Sequence, residues 1–100
     1  MVNDSILNTI KLFLNLIPSD LEVKQVYLFG SYAKGNEHQD SDIDVAIIFS
    51  DFSDFFQIQM QLMRLRRKID LRIEPHPFKE DEFNNSNPFA FEIKHTGIRL

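Results

Sequence analysis

No cysteine occurs in the 100 residues. That excludes a disulfide framework and a thiolate-bound metal. Long apolar runs are missing too. No 18-residue apolar stretch is present, and the N-terminus lacks a basic segment followed by a long apolar one. Neither a membrane span nor a secretory leader is expected, so the chain reads as soluble, cytoplasmic and without a membrane partner. Positive charge is in deficit: 11 Lys and Arg stand against 15 Asp and Glu, a formal net charge of −4. Broad, non-specific binding to nucleic acid is therefore disfavoured, whereas one nucleotide held through metal ions remains compatible. What is present, at 43% apolar and 26% charged, is the composition of a globular chain. Residues 1–100 are expected to form a single domain with a modest core.

The most informative stretch is Gly30-Ser31, a ten-residue spacer, then Asp42-Ile43-Asp44. An apolar run, Val26 to Phe29, precedes the turn, and another, Val45 to Phe49, follows the acidic pair. In a strand, alternate side chains share a face, which puts Asp42 and Asp44 together with backbones roughly 7 Å apart. Ile43, Val45, Ile47 and Phe49 then face a core. Two carboxylates on one face can bridge two divalent cations, and hard oxygen ligands suit Mg²⁺. Gly30 permits close approach of backbone to phosphate, and Ser31 is expected to cap a short helix whose free amides face an anion.

A chance match to this pattern is on the order of one in a thousand for a chain of this length. Two plainer readings compete. A polar loop before an ordinary strand gives no structural reason for the acidic pair. A calcium loop starting at Asp40 needs Gly at its sixth position and Glu at its twelfth. Val45 and Asp51 stand there instead, so that reading fails.

The rest of the chain alternates helices and strands. Asn3 or Asp4 is positioned to cap a first helix with the stripe Ile6, Ile10, Phe13, Leu14 and Ile17, stopped by Pro18. Strand one spans 23–29, and a short helix spans 31–34 with Gly35 as terminator. Strand two spans 42–49. Asp51 or Ser53 is expected to cap a long helix to about Lys68, with Phe55, Ile58, Leu62 and Leu65 inward. Strand three is placed at 69–74, broken by Pro75-His76-Pro77. Asn87 caps a last helix, Pro88 opens it, and Gly97 ends it. The fold class is α/β, bordering on α+β: a small mixed sheet flanked by helices, with a crossover helix between strands two and three.

Other residues are less telling. In strand three, Asp70, Arg72 and Glu74 share one face, which suits either a solvated edge or, for Asp70, a meeting with Asp42 and Asp44. Three such carboxylates would repel unless cations neutralise them. Arg72 suits a carboxylate or a phosphate, and Glu74 reads best as solvated. Arg64, Arg66, Arg67 and Lys68 suit a helix C-terminus better than a partner surface. His38, His76 and His95 show no metal-ligand spacing. Ten Phe are more than so small a chain readily buries, and an exposed apolar patch marks an interface.

The stretch from Val26 to Phe49 resembles the G-S-x10-D-x-D signature of the DNA polymerase beta-like nucleotidyltransferase superfamily. The short chain makes it similar to the minimal nucleotidyltransferases (MNT). The resemblance implies two Mg²⁺ and ATP as substrate, with Asp42, Asp44 and, as a third acidic residue on a neighbouring strand, Asp70 as metal-binding and catalytic residues. It implies Gly30 and Ser31 as phosphate contacts. Lys34 is similar to a basic residue often found in that loop, and an exposed lysine reads equally well. Minimal nucleotidyltransferases commonly accompany HEPN-domain toxins as antitoxins, and some adenylylate the toxin. The resemblance therefore implies transfer of AMP to a hydroxyl of a HEPN-type protein partner within a homo- or hetero-oligomer. A non-catalytic module that neutralises its partner by docking is the alternative. Transfer to a small molecule is disfavoured by the lack of an acceptor domain.

Overall fold

The computed structural model describes residues 2–38 and 40–100. Helix α1 (Asp4–Asn15) starts where the Asn3 side chain accepts from the Ile6 amide at 2.9 Å. This satisfies one free donor of the first turn, so Asn3 rather than Asp4 is the cap. Strand β1 (Val23–Phe29) leads into the short helix α2 (Ser31–Lys34), followed by β2 (Ile43–Phe49) and α3 (Phe55–Arg66). Strand β3 (Ile73–Lys79), α4 (Pro88–Thr96) and β4 (Ile98–Arg99) complete the chain. Among the described residues no helix is long and apolar enough to cross a membrane.

The sheet order is β3-β2-β1-β4. β1 runs antiparallel to both β2 and β4, and β2 runs parallel to β3, the pair that α3 connects. The mixed α/β architecture is the expected one. Central β2 is buried on both faces. Ile43, Val45, Ile47 and Phe49 join Val26, Leu28 and Ile73 against Ile6, Ile10 and Phe13 of α1 and Ile58 and Leu62 of α3. The opposite face, with Tyr27, Ala46 and Ile48, packs on Phe83 and on Ala90 and Ile93 of α4. Asn87, whose side chain accepts from the Phe89 and Ala90 amides, and Pro88 start α4 as expected.

Three expectations are corrected. Helix α3 is capped by Asp54, which accepts from the Gln57 amide at 3.1 Å, not by Asp51 or Ser53. Asp51 instead accepts from its neighbour Phe52, and Phe55 is 59% exposed rather than in the core. Strand three does not span 69–74; it runs through the Pro75-His76-Pro77 segment. Proline is excluded from a strand only where the ladder needs its N–H. The Arg72 carbonyl accepts from the Ile43 amide at 2.8 Å, so even-numbered residues here turn their backbone polar groups toward β2. Residues 73, 75 and 77 turn theirs outward, where two prolines leave no donor unmet. The outward carbonyls are met by α3: Ile73 accepts from Arg66 Nη1 at 2.9 Å and Pro75 from Gln59 Nε2 at 3.0 Å.

Candidate active site

Phe29 lies opposite Asp44 in the β1–β2 register, so the end of β1 and the start of β2 meet. The ten-residue spacer is what returns the chain to that point. Gly30 leaves β1 with φ +74° and ψ −150°, a conformation open to glycine and strained for other residues. A Cβ at Gly30 would land on Asp44 Oδ2. The turn and the carboxylate are therefore in van der Waals contact, and only a residue without a side chain fits between them. Gly30 itself takes the cap position of α2, with no side-chain cap bond. Ser31 is thus the first helical residue and not the cap expected. The Lys34 amide donates to the Gly30 carbonyl at 3.1 Å, and Gly35 closes the turn with φ +76°. The amides opening α2 have no partner within the helix and can receive an anion.

Asp42 sits one residue ahead of β2 and is exposed; Asp44, inside the strand, is half-buried. Buried Ser41 fixes the approach: its Oγ accepts from the His38 amide at 2.9 Å, and its own amide donates to the His38 carbonyl at 3.0 Å. Asp44 against the Gly30 turn, with the exposed Asp42 two residues before it, offers hard oxygen donors that suit Mg²⁺, which is usually held by one or two carboxylates and completed by water and substrate phosphates. Among the described residues no three His, Asp or Glu side chains gather into a closed metal cage. Lys34 lies on the rim of a cleft of about 130 Å³ between the turn and α4, with Phe29, Gly30, Phe89, Glu92 and Thr96.

Asp70 is not on a strand beside the acidic pair. It lies in the turn before β3, where Arg72 grips it: Nη2 to Oδ2 at 2.7 Å, Nε to Oδ1 at 3.1 Å, and the Arg72 amide to Oδ1 at 2.9 Å. Hydrogen bonding from the Arg72 side chain holds the Asp70 carboxyl below its ordinary value, against the opposing effect of burial. The same pairing raises Arg72. The residue opposite Asp44 in the parallel register is Glu74, whose Oε1 lies 3.1 Å from Arg66 Nη1. His76, two residues on, places Nε2 3.2 Å from Asp44 Oδ1. Its ring meets Phe29 and Phe89 edge-on, with centroids 5.0 and 5.8 Å away. Sequence reasoning read Glu74 as a solvated residue of the strand, and it set His76 aside because it ended the strand at the prolines. The Pro-x-Pro spacing itself held the signal: two residues barred from the ladder put the one between them in it.

Residues 11–100 match the family described as Polymerase beta, Nucleotidyltransferase, and the chain belongs to that family. Among its relatives is the protein adenylyltransferase MntA of Shewanella oneidensis, 44% identical over 45 residues, 45% of this chain and 30% of that protein's length. The chain thus matches less than a third of that relative. Its fold is shared with a crystal structure of a toxin–antitoxin with AMP-PNP, at TM-score 0.62 and 24% identity over 92% of this chain and 69% of that one. A variant of the toxin–antitoxin MntA–HpeT matches at TM-score 0.62 and 26% identity, covering all 100% of this chain and 72% of the other.

Proposed function

We propose that the chain transfers AMP from ATP to a hydroxyl group of a partner protein, releasing pyrophosphate, as the cytoplasmic antitoxin of a toxin–antitoxin pair with a HEPN-type partner. The observation that supports the reading is the close approach of Gly30 to Asp44 Oδ2, which sets the turn after β1 against the carboxylate that would hold the metal. The likeness to MntA supports adenylylation, and the likeness to toxin–antitoxin structures supports a protein partner. Asp42 and Asp44 would hold two Mg²⁺, which when bound with ATP supply charge neutralisation at the leaving pyrophosphate and lower the pKa of the attacking hydroxyl. The Gly30 and Ser31 amides would cradle the β and γ phosphates, with Lys34 at the rim. Glu74, opposite Asp44, takes the third acidic place in this reading, and Asp70 serves the turn. In-line displacement at phosphorus asks mainly for positioning and charge neutralisation, which rigid β2 and the pinned Gly30 turn provide.

The test uses α-labelled ATP, Mg²⁺ and lysate of the chain's own host. A labelled protein band with the wild type, absent with Asp42→Asn and Asp44→Asn, is the expected result; equal labelling by both variants would overturn the assignment. A docking-only antitoxin is favoured by one observation, the exposed aromatics Phe55 and Phe56, which are 59% and 71% accessible at the start of α3. Neutralisation of the partner by Asp42→Asn without ATP would carry that second reading.

A further inference from the structure

We propose that His76 is a positioning residue that fixes the Asp44 carboxylate for a divalent cation. This rests on the nucleotidyltransferase reading above. An ionised carboxylate can only accept hydrogen bonds, so the 3.2 Å contact requires His76 Nε2 to carry the proton and donate to Asp44 Oδ1. A nitrogen used in this way has no lone pair for a metal, so His76 acts through Asp44 and is not itself a ligand. The other oxygen, Oδ2, rests over the Gly30 backbone. One oxygen of the carboxylate is thus held by a donor, and the other lies against the Gly30 backbone.

The ring is in turn held. Phe29 and Phe89 meet it edge-on from β1 and α4, and its own strand position is set by the flanking Pro75 and Pro77, both buried. A freely rotating Asp must give up rotamer freedom when it binds a cation, whereas one already oriented gives up less. Partners of metal-binding carboxylates typically change metal affinity by about 10–100-fold when removed. His76, unlike Asp42 and Asp44, sits two elements beyond the signature, in the strand that also carries Glu74.

The experiment titrates the purified protein with Mn²⁺, followed by electron paramagnetic resonance, without nucleotide. His76→Phe keeps an aromatic ring and removes the donor; His76→Leu is a second apolar replacement should Phe not fold. The dissociation constant for Mn²⁺ is expected to rise about 10–100-fold, with the thermal midpoint little changed. His76→Gln, which offers an amide donor near the Nε2 position, should restore most of the affinity. In an Asp44→Asn background, His76→Phe should have no further effect. Unchanged Mn²⁺ affinity in His76→Phe, with affinity lost in Asp44→Asn, would overturn the role of His76 alone. Additive losses in the double variant would also overturn it, since His76 would then be a ligand in its own right. Mn²⁺ affinity unaffected by Asp44→Asn would sink the nucleotidyltransferase reading itself.

Discussion

At the scale of single residues, Gly30 is constrained twice over. Two independent demands meet there: a positive φ and no room for a Cβ beside Asp44. Gly30→Ala should therefore displace the carboxylate as well as strain the turn. The expected outcome is a loss of Mn²⁺ affinity comparable to that of Asp44→Asn, with about 1–2 kcal/mol of destabilisation in denaturant melts. Asp70 makes the contrasting case. Its carboxyl is held by Arg72 below the ordinary value of 3.8, so the stabilisation is present above that value and fades as pH falls through the lower folded value. Asp70→Asn should cost about 1 kcal/mol near neutrality, a deficit that shrinks in melts repeated below about pH 4, and should leave Mn²⁺ affinity unchanged. The meeting of the Gly30 turn with the start of β2 was legible in the sequence because glycine and paired aspartates have few structural uses in that pattern. Asp70 misled because an acidic residue in an alternating run looks the same whether it faces a metal or an arginine two positions away.

At the scale of elements, β1 and β2 could be read to within a residue, because each is a continuous apolar run. β3 could not, since its prolines argue against a strand unless the strand is known to lie at an edge, and sheet order is a tertiary fact. The same prolines guard that edge. An exposed strand edge invites pairing with another chain unless its polar groups are missing or covered. Here Pro75 and Pro77 remove the outward donors, and Arg66 and Gln59 cover outward carbonyls. Replacing both prolines with Thr should leave the strand in register and expose two free N–H groups. Light scattering on warming should then show association at lower temperature than the wild type, while the unheated far-UV spectrum stays the same. The cap of α3 was misplaced by a few residues because Asp51, Ser53 and Asp54 are all competent caps, and only the path of the chain leaving β2 selects among them.

At the scale of the whole molecule, the two sheet faces are covered unequally. α1 and α3 share one face and α4 lies across the other, with the cleft beside Gly30 running between α4 and the turn after β1. Ten phenylalanines could not all be placed inside: Phe13 and Phe49 are fully buried, whereas Phe55 and Phe56 are largely exposed and Phe89 and Phe91 are a little under half exposed. The grip of α3 on the outer carbonyls of β3 has a further consequence, for the lifetime of the assembled site. β3 has a sheet neighbour on one side only, and its other side is secured by two side chains of one helix. If α3 opens, β3 loses that support, and Glu74 and His76 move with it. Amide exchange in α3 and β3 should therefore share one opening equilibrium, distinct from that of β1 and β2. Met60→Gly, at a position 41% exposed in the middle of α3, should weaken the helix by about 1 kcal/mol and speed exchange across residues 74–78 as well. A helix that contributes no group to the chemistry would then set how long the chemistry's geometry survives between openings.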